Sequence, residues 1–302
     1  MTEVLDHGTD DKLLQWHIGH IVITRIVEST FDGGLDAFLP FATPDALRAI
    51  EWLGHEYVTP EGVLKFSIHA LVIEAHGKRI IVDTCVGNDK DRSAFPIWHQ
   101  QSYRFLDQLN AAGFPPESFD FVLCTHLHLD HVGWNTVLRD GRWIPTFPNA
   151  RYLIAEQEYA VMQELVRDTG GDVMRDVDRA VVADSVLPVI AAGLVDFVPC
   201  DYVVCEGVRL VPTPGHTAGH VSVEVTSNGQ AALITGDFIH HPCQLAHPEW
   251  SITSDYDPAL SALTREERFS AIAGTDAIMI GTHWPTPSAG CIDRDGNAYR
   301  LR

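Results

Sequence analysis

Positive charge is scarce in this chain: 21 Lys and Arg stand against 41 Asp and Glu, a formal net charge of −20. Proteins that grip nucleic acid neutralise phosphates with basic side chains, so this balance argues against a polyanionic partner. Bound divalent cations would offset only a small part of it, and most of the excess reads as a soluble, self-repelling surface. Long apolar runs are also lacking. No segment reaches the roughly 18–20 residues of a membrane span, and Met1 to Asp11 is acidic, without the positive-then-apolar layout of a signal peptide. The expectation is a cytoplasmic protein with no membrane partner. Cysteine pairs are missing as well: the six cysteines, at 85, 124, 200, 205, 243 and 291, form no CxxC. Without an export signal they read as buried free thiols rather than as disulfides. No short-period repeat or low-complexity tract occurs.

What is present is an ordinary globular composition, 45% hydrophobic and 21% charged, in 302 residues, enough for an ample core. Residues 1–16 read as a polar N-terminal arm and 17–302 as one domain. Ile18 to Glu28 is expected to be a strand. Residues 29–62 are aromatic and punctuated by Gly and Pro, with a short helix from Pro44 to Leu53; so long a connection reads as a lid or pocket wall. Phe66–Ala75 and Arg79–Asp83 form a hairpin around His76-Gly77-Lys78. Trp98 to Gly113 reads as a helix, and Phe119 to Cys124 as a short buried strand. A strand at Tyr152–Ala155, helices at 156–168 and 173–192, and strands at 194–198, 208–213, 220–226 and 231–235 follow. A helix from Pro258 to Ala273 leads to a last strand, Ala277–Ile280. Strands precede helices in two successive blocks, which predicts an α+β fold: two β-rich halves packed sheet on sheet with helices outside, an αββα sandwich.

The most informative stretch is Thr125-His126-Leu127-His128-Leu129-Asp130-His131, directly after the buried strand. Open α/β sheets bind ligands at strand C-terminal ends, and imidazole and carboxylate are the donors that Zn²⁺ and its neighbours prefer. One histidine there would signify little. Three with an aspartate mark a metal site. Closure must come from elsewhere, and three further places share the context of an apolar strand followed by a polar residue. They are Val211-Pro212-Thr213-Pro214-Gly215-His216, Ala232-Leu233-Ile234-Thr235-Gly236-Asp237, and Ile278-Met279-Ile280-Gly281-Thr282-His283. His216 alone reads equally as a turn residue and Asp237 as a helix cap; together they complete a ligand set.

His126-x-His128-x-Asp130-His131, then His216, Asp237 and His283, resembles the metallo-β-lactamase-fold hydrolases over about residues 66–290. The resemblance implies the αββα fold. It also implies one metal on His126, His128 and His216, a second on Asp130, His131 and His283, and Asp237 bridging them, with two divalent ions, zinc first among them. True β-lactamases generally lack the bridging aspartate, and flavodiiron proteins carry a glutamate within the first motif where this chain has His128. The RNA-processing branch expects basic surfaces. The stretches Thr235 to Pro242 and His283 to Gly290 look most like the methyl-parathion-hydrolase-like and lactonase branch. Quorum-quenching lactonases place a tyrosine three residues after the bridging aspartate; this chain has His240 there. The resemblance further implies a homodimer.

Two metals about 3.5–4 Å apart share a water and lower its pKa from 15.7 toward 7, so a bridging hydroxide is the expected nucleophile. Asp130 is expected to act both as ligand and as proton shuttle, and His240 as a donor to a developing oxyanion or as an orienting residue. His220 reads as structural and His241 as exposed. Phe38, Trp134, Trp250 and Trp284 are expected pocket walls, with Phe41 and Trp98 near them. No cluster of Lys or Arg stands beside the ligands, which favours a small neutral substrate: a lactone, carboxyl ester or phosphotriester. The rival readings are a glyoxalase-II-type thioesterase and a non-hydrolytic or redox metal protein on the same scaffold.

Overall fold

The structure, a computed structural model, describes residues 13–33, 38–167 and 173–302. Strands β1 (Gln15–Ile18) and β2 (Ile21–Asp32) pair antiparallel, so pairing begins inside the segment expected to be a free arm. Residues 1–12 of that arm lie outside the described residues. Helix α1 (Pro44–Arg48) starts at Thr43, whose hydroxyl accepts from Ala46 N–H. The expected hairpin follows as β3 (Lys65–Ala75) and β4 (Lys78–Val82). Next come α2 (Phe105–Ala111), β5 (Phe121–Leu123), the hairpin β6 (Thr136–Arg139) and β7 (Arg142–Pro145), and β8 (Arg151–Ala155). Helices α3 (Glu156–Arg167), α4 (Val173–Val181) and α5 (Leu187–Ala191) lead to β9 (Val195–Val198). The first sheet has seven strands in the order β1-β2-β3-β4-β5-β8-β9.

The second sheet holds β10 (Val203–Cys205), β11 (Val208–Pro212), β12 (Val221–Ser227), β13 (Gln230–Ile234), β14 (Ile278–Ile280) and β15 (Ala289–Gly290), in that order. Helices α6 (Cys243–Ala246) and α7 (Pro258–Ile272) intervene, and the hairpin β16 (Ile292–Asp295) and β17 (Ala298–Leu301) closes the chain.

Alternation along the strands sets the layers. Leu71 and Ile73 of β3, Ile80 and Val82 of β4, Leu123 of β5 and Leu153 of β8 share one buried cluster with Leu210, Val223, Ala232, Ile234 and Ile280 of the second sheet. Their neighbours Val72, Ile81, Val122 and Tyr152 face the other way and pack with Phe105 and Leu109 of α2, Met162 of α3 and Val177 of α4. Leu233 and Met279 likewise turn outward onto Phe269 of α7. Two sheets therefore pack face to face with helices on both outer surfaces, the αββα sandwich.

Three expected helices come out shorter. α2 begins only at Phe105, because Gln100 takes a positive φ of 47° and residues before it fold as turns that pack Trp98 on Phe95. The segment after Pro44 leaves the helix at Ala49. The long helix expected over 173–192 is broken by a π-turn at Val182–Val186. Pro188 has no N–H for the carbonyl of Asp184; that carbonyl instead accepts from Thr136 Oγ1 and from Lys90 Nζ, the latter at 3.2 Å.

Candidate metal centre

Strand direction gathers the seven expected ligands. β4 and β5 run parallel, as do β13 and β14, and β11 reaches β13 through two antiparallel steps, so it points the same way. The C-terminal ends of these strands open onto one edge of the sandwich. From β5 come His126, His128, Asp130 and His131; from β11, His216; from β13, Asp237; from β14, His283. Gly236 makes the Asp237 turn possible: it has a positive φ of 56°, and a Cβ there would stand 2.6 Å from His220 Nε2. His220 Nε2 in turn accepts from the Asp237 N–H at 2.7 Å, which makes it a structural support, as expected.

The seven side chains meet in two overlapping groups. His128 Nδ1 lies 3.0 Å from His126 Nε2 and 2.9 Å from His216 Nε2. Asp130, His131 and His283 form the second group, with Asp130 oxygens 3.7 Å from His131 Nε2 and 3.6 Å from His283 Nε2. Asp237 stands between them. Its Oδ2 is 3.2 Å from His131 Nε2, 3.6 Å from His216 Nε2 and 3.9 Å from His126 Nε2, while its Oδ1 is 3.1 Å from His283 Nε2.

The far ring nitrogens fix the protons. His131 Nδ1 donates to Asp83 Oδ2 at 2.9 Å, and His216 Nδ1 to Asp255 Oδ1 at 3.0 Å. His283 Nδ1 faces the carbonyl of Ser67 at 3.4 Å. With those protons on Nδ1, each Nε2 presents a lone pair to the centre. Ring nitrogens of His126, His128 and His216 then face one another at 2.9–3.0 Å, a convergence of donors that a cation would satisfy. The donor set fits a pair of divalent metals.

Electrostatics agree. Burial, reinforced by neighbouring histidines, holds His126 and His128 well below the ordinary imidazole pKa, so both are neutral donors at pH 7. Burial also opposes charge on His131 and His283, yet Asp237 and Asp130 outweigh it and raise both. Burial would likewise raise Asp237, but His131, His283 and His240 hold it well below the carboxylate range.

Beside the centre is a cleft lined by Phe38, Phe66, Phe95, Trp98, Val177 and Ile252, with His240 and Asp130 at its floor. Phe38 and Trp98 are where the sequence reading put them. Three other tryptophans are not. Trp134 is buried against Phe105, rings 5.7 Å apart, and its Nε1 donates to Glu28. Trp284 is fully buried in the cluster under α7, because Gly281 leaves room for its ring on the face opposite His283. Trp250 stacks on His247 at 4.0 Å and belongs to the core. Phe41 is 59% exposed and does not line the cleft. His241, expected at the surface, is buried with Nε2 3.0 Å from the carbonyl of Tyr57. His240 Nε2 lies 3.1 Å from Asp237 Oδ2, and its Nδ1 has no hydrogen-bond partner among the described residues.

Sequence reasoning missed Asp83 and Asp255. Asp83 carries the same signal as the ligands, an apolar strand followed by a polar residue, and was absorbed into the hairpin instead. Asp255 sits in a loop with no strand before it and no such signal. The cysteines are free; Cys85, Cys124 and Cys243 are buried as expected, whereas Cys200, Cys205 and Cys291 are half-buried. Among the described residues, no helix is long and apolar enough to cross a membrane.

The sequence model of the metallo-β-lactamase superfamily matches residues 64–283. The chain belongs to that superfamily. An N-acyl homoserine lactonase from Bacillus sp is 25% identical over 193 residues, which is 60% of this chain and 67% of that protein. The N-acyl homoserine lactonase AttM from Rhizobium radiobacter is 31% identical over 138 residues, 44% of this chain and 46% of AttM. Among solved structures, the superfamily hydrolase AbOPH superposes with a TM-score of 0.78 at 24% identity, covering 97% of both chains. AidC, a dizinc quorum-quenching lactonase solved with a product, gives 0.77 at 18% identity, covering 96% of both. The superfamily fold extends over nearly the whole chain.

Proposed function

We propose that this protein is a dinuclear metal-dependent hydrolase that cleaves a neutral ester-type bond: a lactone, a carboxyl ester or a phosphotriester. The observation that carries the reading is the meeting of two ligand groups on one shared carboxylate, Asp237, at the floor of an apolar cleft. Two divalent ions, zinc by the chemistry of the donors, would supply Lewis acidity toward the substrate oxygen and an acidified water at neutral pH. His126, His128 and His216 would hold one, Asp130, His131 and His283 the other, and Asp237 both.

The remaining steps fall to the chain. Asp130, a ligand at the cleft floor with its side chain 14% exposed, takes the proton of the attacking water and delivers it to the leaving oxygen. His240, kept neutral by burial against the pull of Asp237, donates an N–H to the oxygen on which charge develops. Phe38, Phe95 and Trp98 hold the apolar part of the substrate and exclude water; Phe38 and Trp98 both pack on Phe95, at 6.0 and 5.6 Å between ring centroids. No Lys or Arg among the described residues lines this cleft, which speaks against a multiply charged thioester. The lactonase relatives support the hydrolytic reading without naming the substrate.

The test is a substrate panel on zinc-loaded and chelator-stripped protein: homoserine lactones, aryl esters, phosphotriesters and glutathione thioesters. Metal-dependent turnover of at least one neutral class is expected. Turnover of the thioester alone, or stoichiometric iron with oxygen consumption, would overturn the proposal.

A further inference from the structure

Glu158 touches no ligand side chain, yet it joins the two loops that carry the first ligand group. It lies in the first turn of α3 and is 3% exposed. Its Oε1 accepts from the N–H of Leu127 at 3.1 Å, the residue between His126 and His128. Its Oε2 accepts from Thr217 Oγ1 at 2.7 Å and from the N–H of Gly219 at 3.1 Å, both just after His216. Gly219 is what lets α3 come so near: a Cβ there would stand 2.2 Å from Glu158 N and 2.5 Å from its Cα. The two loops issue from different sheets, β5 in the first and β11 in the second. The carboxylate therefore spans the seam of the sandwich at the place where His126, His128 and His216 must meet.

Burial raises the Glu158 pKa against the pull of its three donors, so an ionised carboxylate here costs desolvation that an apolar side chain of like volume would not. Such a group adds little to stability for its cost. What it does add is a fixed geometry, because both oxygens bind donors on two separate loops. We infer that Glu158 is a positioning residue for the first metal: its carboxylate sets the spacing of the two loops so that the ring nitrogens of His126, His128 and His216 converge. The inference rests on reading those three histidines as a metal site.

Two variants separate this from a simple brace. Glu158→Gln keeps the volume but turns an NH₂ toward N–H and O–H donors on one of the loops. Thr217→Val keeps the carboxylate and removes one of its three bonds. Stripped full-length protein is titrated with Zn²⁺ against a chromophoric chelator, with the melting temperature of the stripped protein and the visible spectrum of the Co²⁺-loaded protein recorded beside it. Wild type is expected to take up two ions. In Glu158→Gln one of the two steps weakens by about 10- to 100-fold, the range seen when supports behind ligands are lost, and the Co²⁺ band of that ion changes. Thr217→Val shows a smaller loss at the same step. Two unchanged steps in Glu158→Gln, whatever its melting temperature, would leave Glu158 a brace only and overturn the inference. Should that variant not fold, unchanged binding in Thr217→Val overturns it. Wild type that binds no metal refutes the metal-centre reading itself, a different failure.

Discussion

Replacing Asp83 with Asn should disable the second metal while leaving the first in place. Asp83 has a positive φ of 58°, a conformation that Asn tolerates as well as Asp, so the backbone survives. The carboxylate accepts three hydrogens: Thr125 N–H on Oδ1 at 2.8 Å, and Thr125 Oγ1 and His131 Nδ1 on Oδ2, both at 2.9 Å. An amide with its oxygen kept on Thr125 N–H must point its NH₂ at His131 Nδ1. That nitrogen then has to accept, which moves the imidazole proton to Nε2, the atom that faces Asp237 and His283. The loss is one charge-assisted hydrogen bond, about 1.5–3 kcal/mol. Loss of such supports lowers metal affinity about 10- to 100-fold, and each factor of ten is about 1.4 kcal/mol, so the two routes agree. Chelator-competition titration should show one step weakened by that factor, with activity low at limiting zinc and recovering in excess. A variant with both steps as in wild type would refute the tautomer argument. So would a loss confined to the first step, since His131 is the ring that Asp83 holds directly and His126 is reached only through Thr125 Oγ1.

Asp237→Ala removes the one carboxylate shared by both groups; the second ion and nearly all hydrolysis should be lost, and intact metal content with unchanged turnover would sink the bridging role. His240→Ala should lower kcat by about 10²–10³, the usual effect of losing an oxyanion donor, at unchanged metal content by elemental analysis; loss of one ion would make His240 a ligand instead. Lys90 bears on stability rather than catalysis: burial, helped by Arg92 and opposed by Asp184, lowers its pKa from 10.5 to about 7. Between those values the unfolded chain holds a proton that the folded protein has released, so this group makes stability rise as pH increases from about 7 to 10.5. Lys90→Met should flatten that rise in urea midpoints measured across the window, and an unchanged slope would refute it.

Much of the fold was legible because short continuous apolar runs mark strands that are covered on both faces, by the facing sheet and by the outer helices. β3, β4, β5, β8, β12 and β13 all appear within a few residues of expectation, and the sandwich follows from their order. The hairpins β6–β7 and β16–β17 were missed although Asp140-Gly141 and Gly296-Asn297 stand at their turns. Their strands are four residues long and none has more than one buried residue, too few to impose a period. The π-turn before α5 was illegible for a different reason: Pro188 announced the break, but the partners that make it stable, Lys90 and Thr136, are distant in the chain.

At the site, the seven side chains that meet at the centre were legible and most of what surrounds them was not, and one cause covers both. A ligand must leave a strand end with its donor atom free, so it stands out as a polar residue after an apolar run. A side chain beside it in sequence turns to the other face, as Trp284 does from His283 and Trp134 does after His131. Besides the expected Phe38 and Trp98, the cleft wall comes from Phe95 and Val177, in a turn and on α4, which share no pattern with the site residues. The supports are scattered for a physical reason as well. Side chains that must aim their donor atoms at one point need their far ends fixed, so the supports reach in from elements outside the cluster. Asp83 does so from the end of β4, Asp255 from the loop before α7, Ser67 from β3 and Glu158 from α3. Each reaches in from a different part of the chain, so no short segment can display the group. Variants of Asp83, Asp255 and Glu158 should therefore separate, Asp255 and Glu158 affecting the first metal and Asp83 the second, whereas the Ser67 contact is made by a backbone carbonyl and should survive replacement of that side chain.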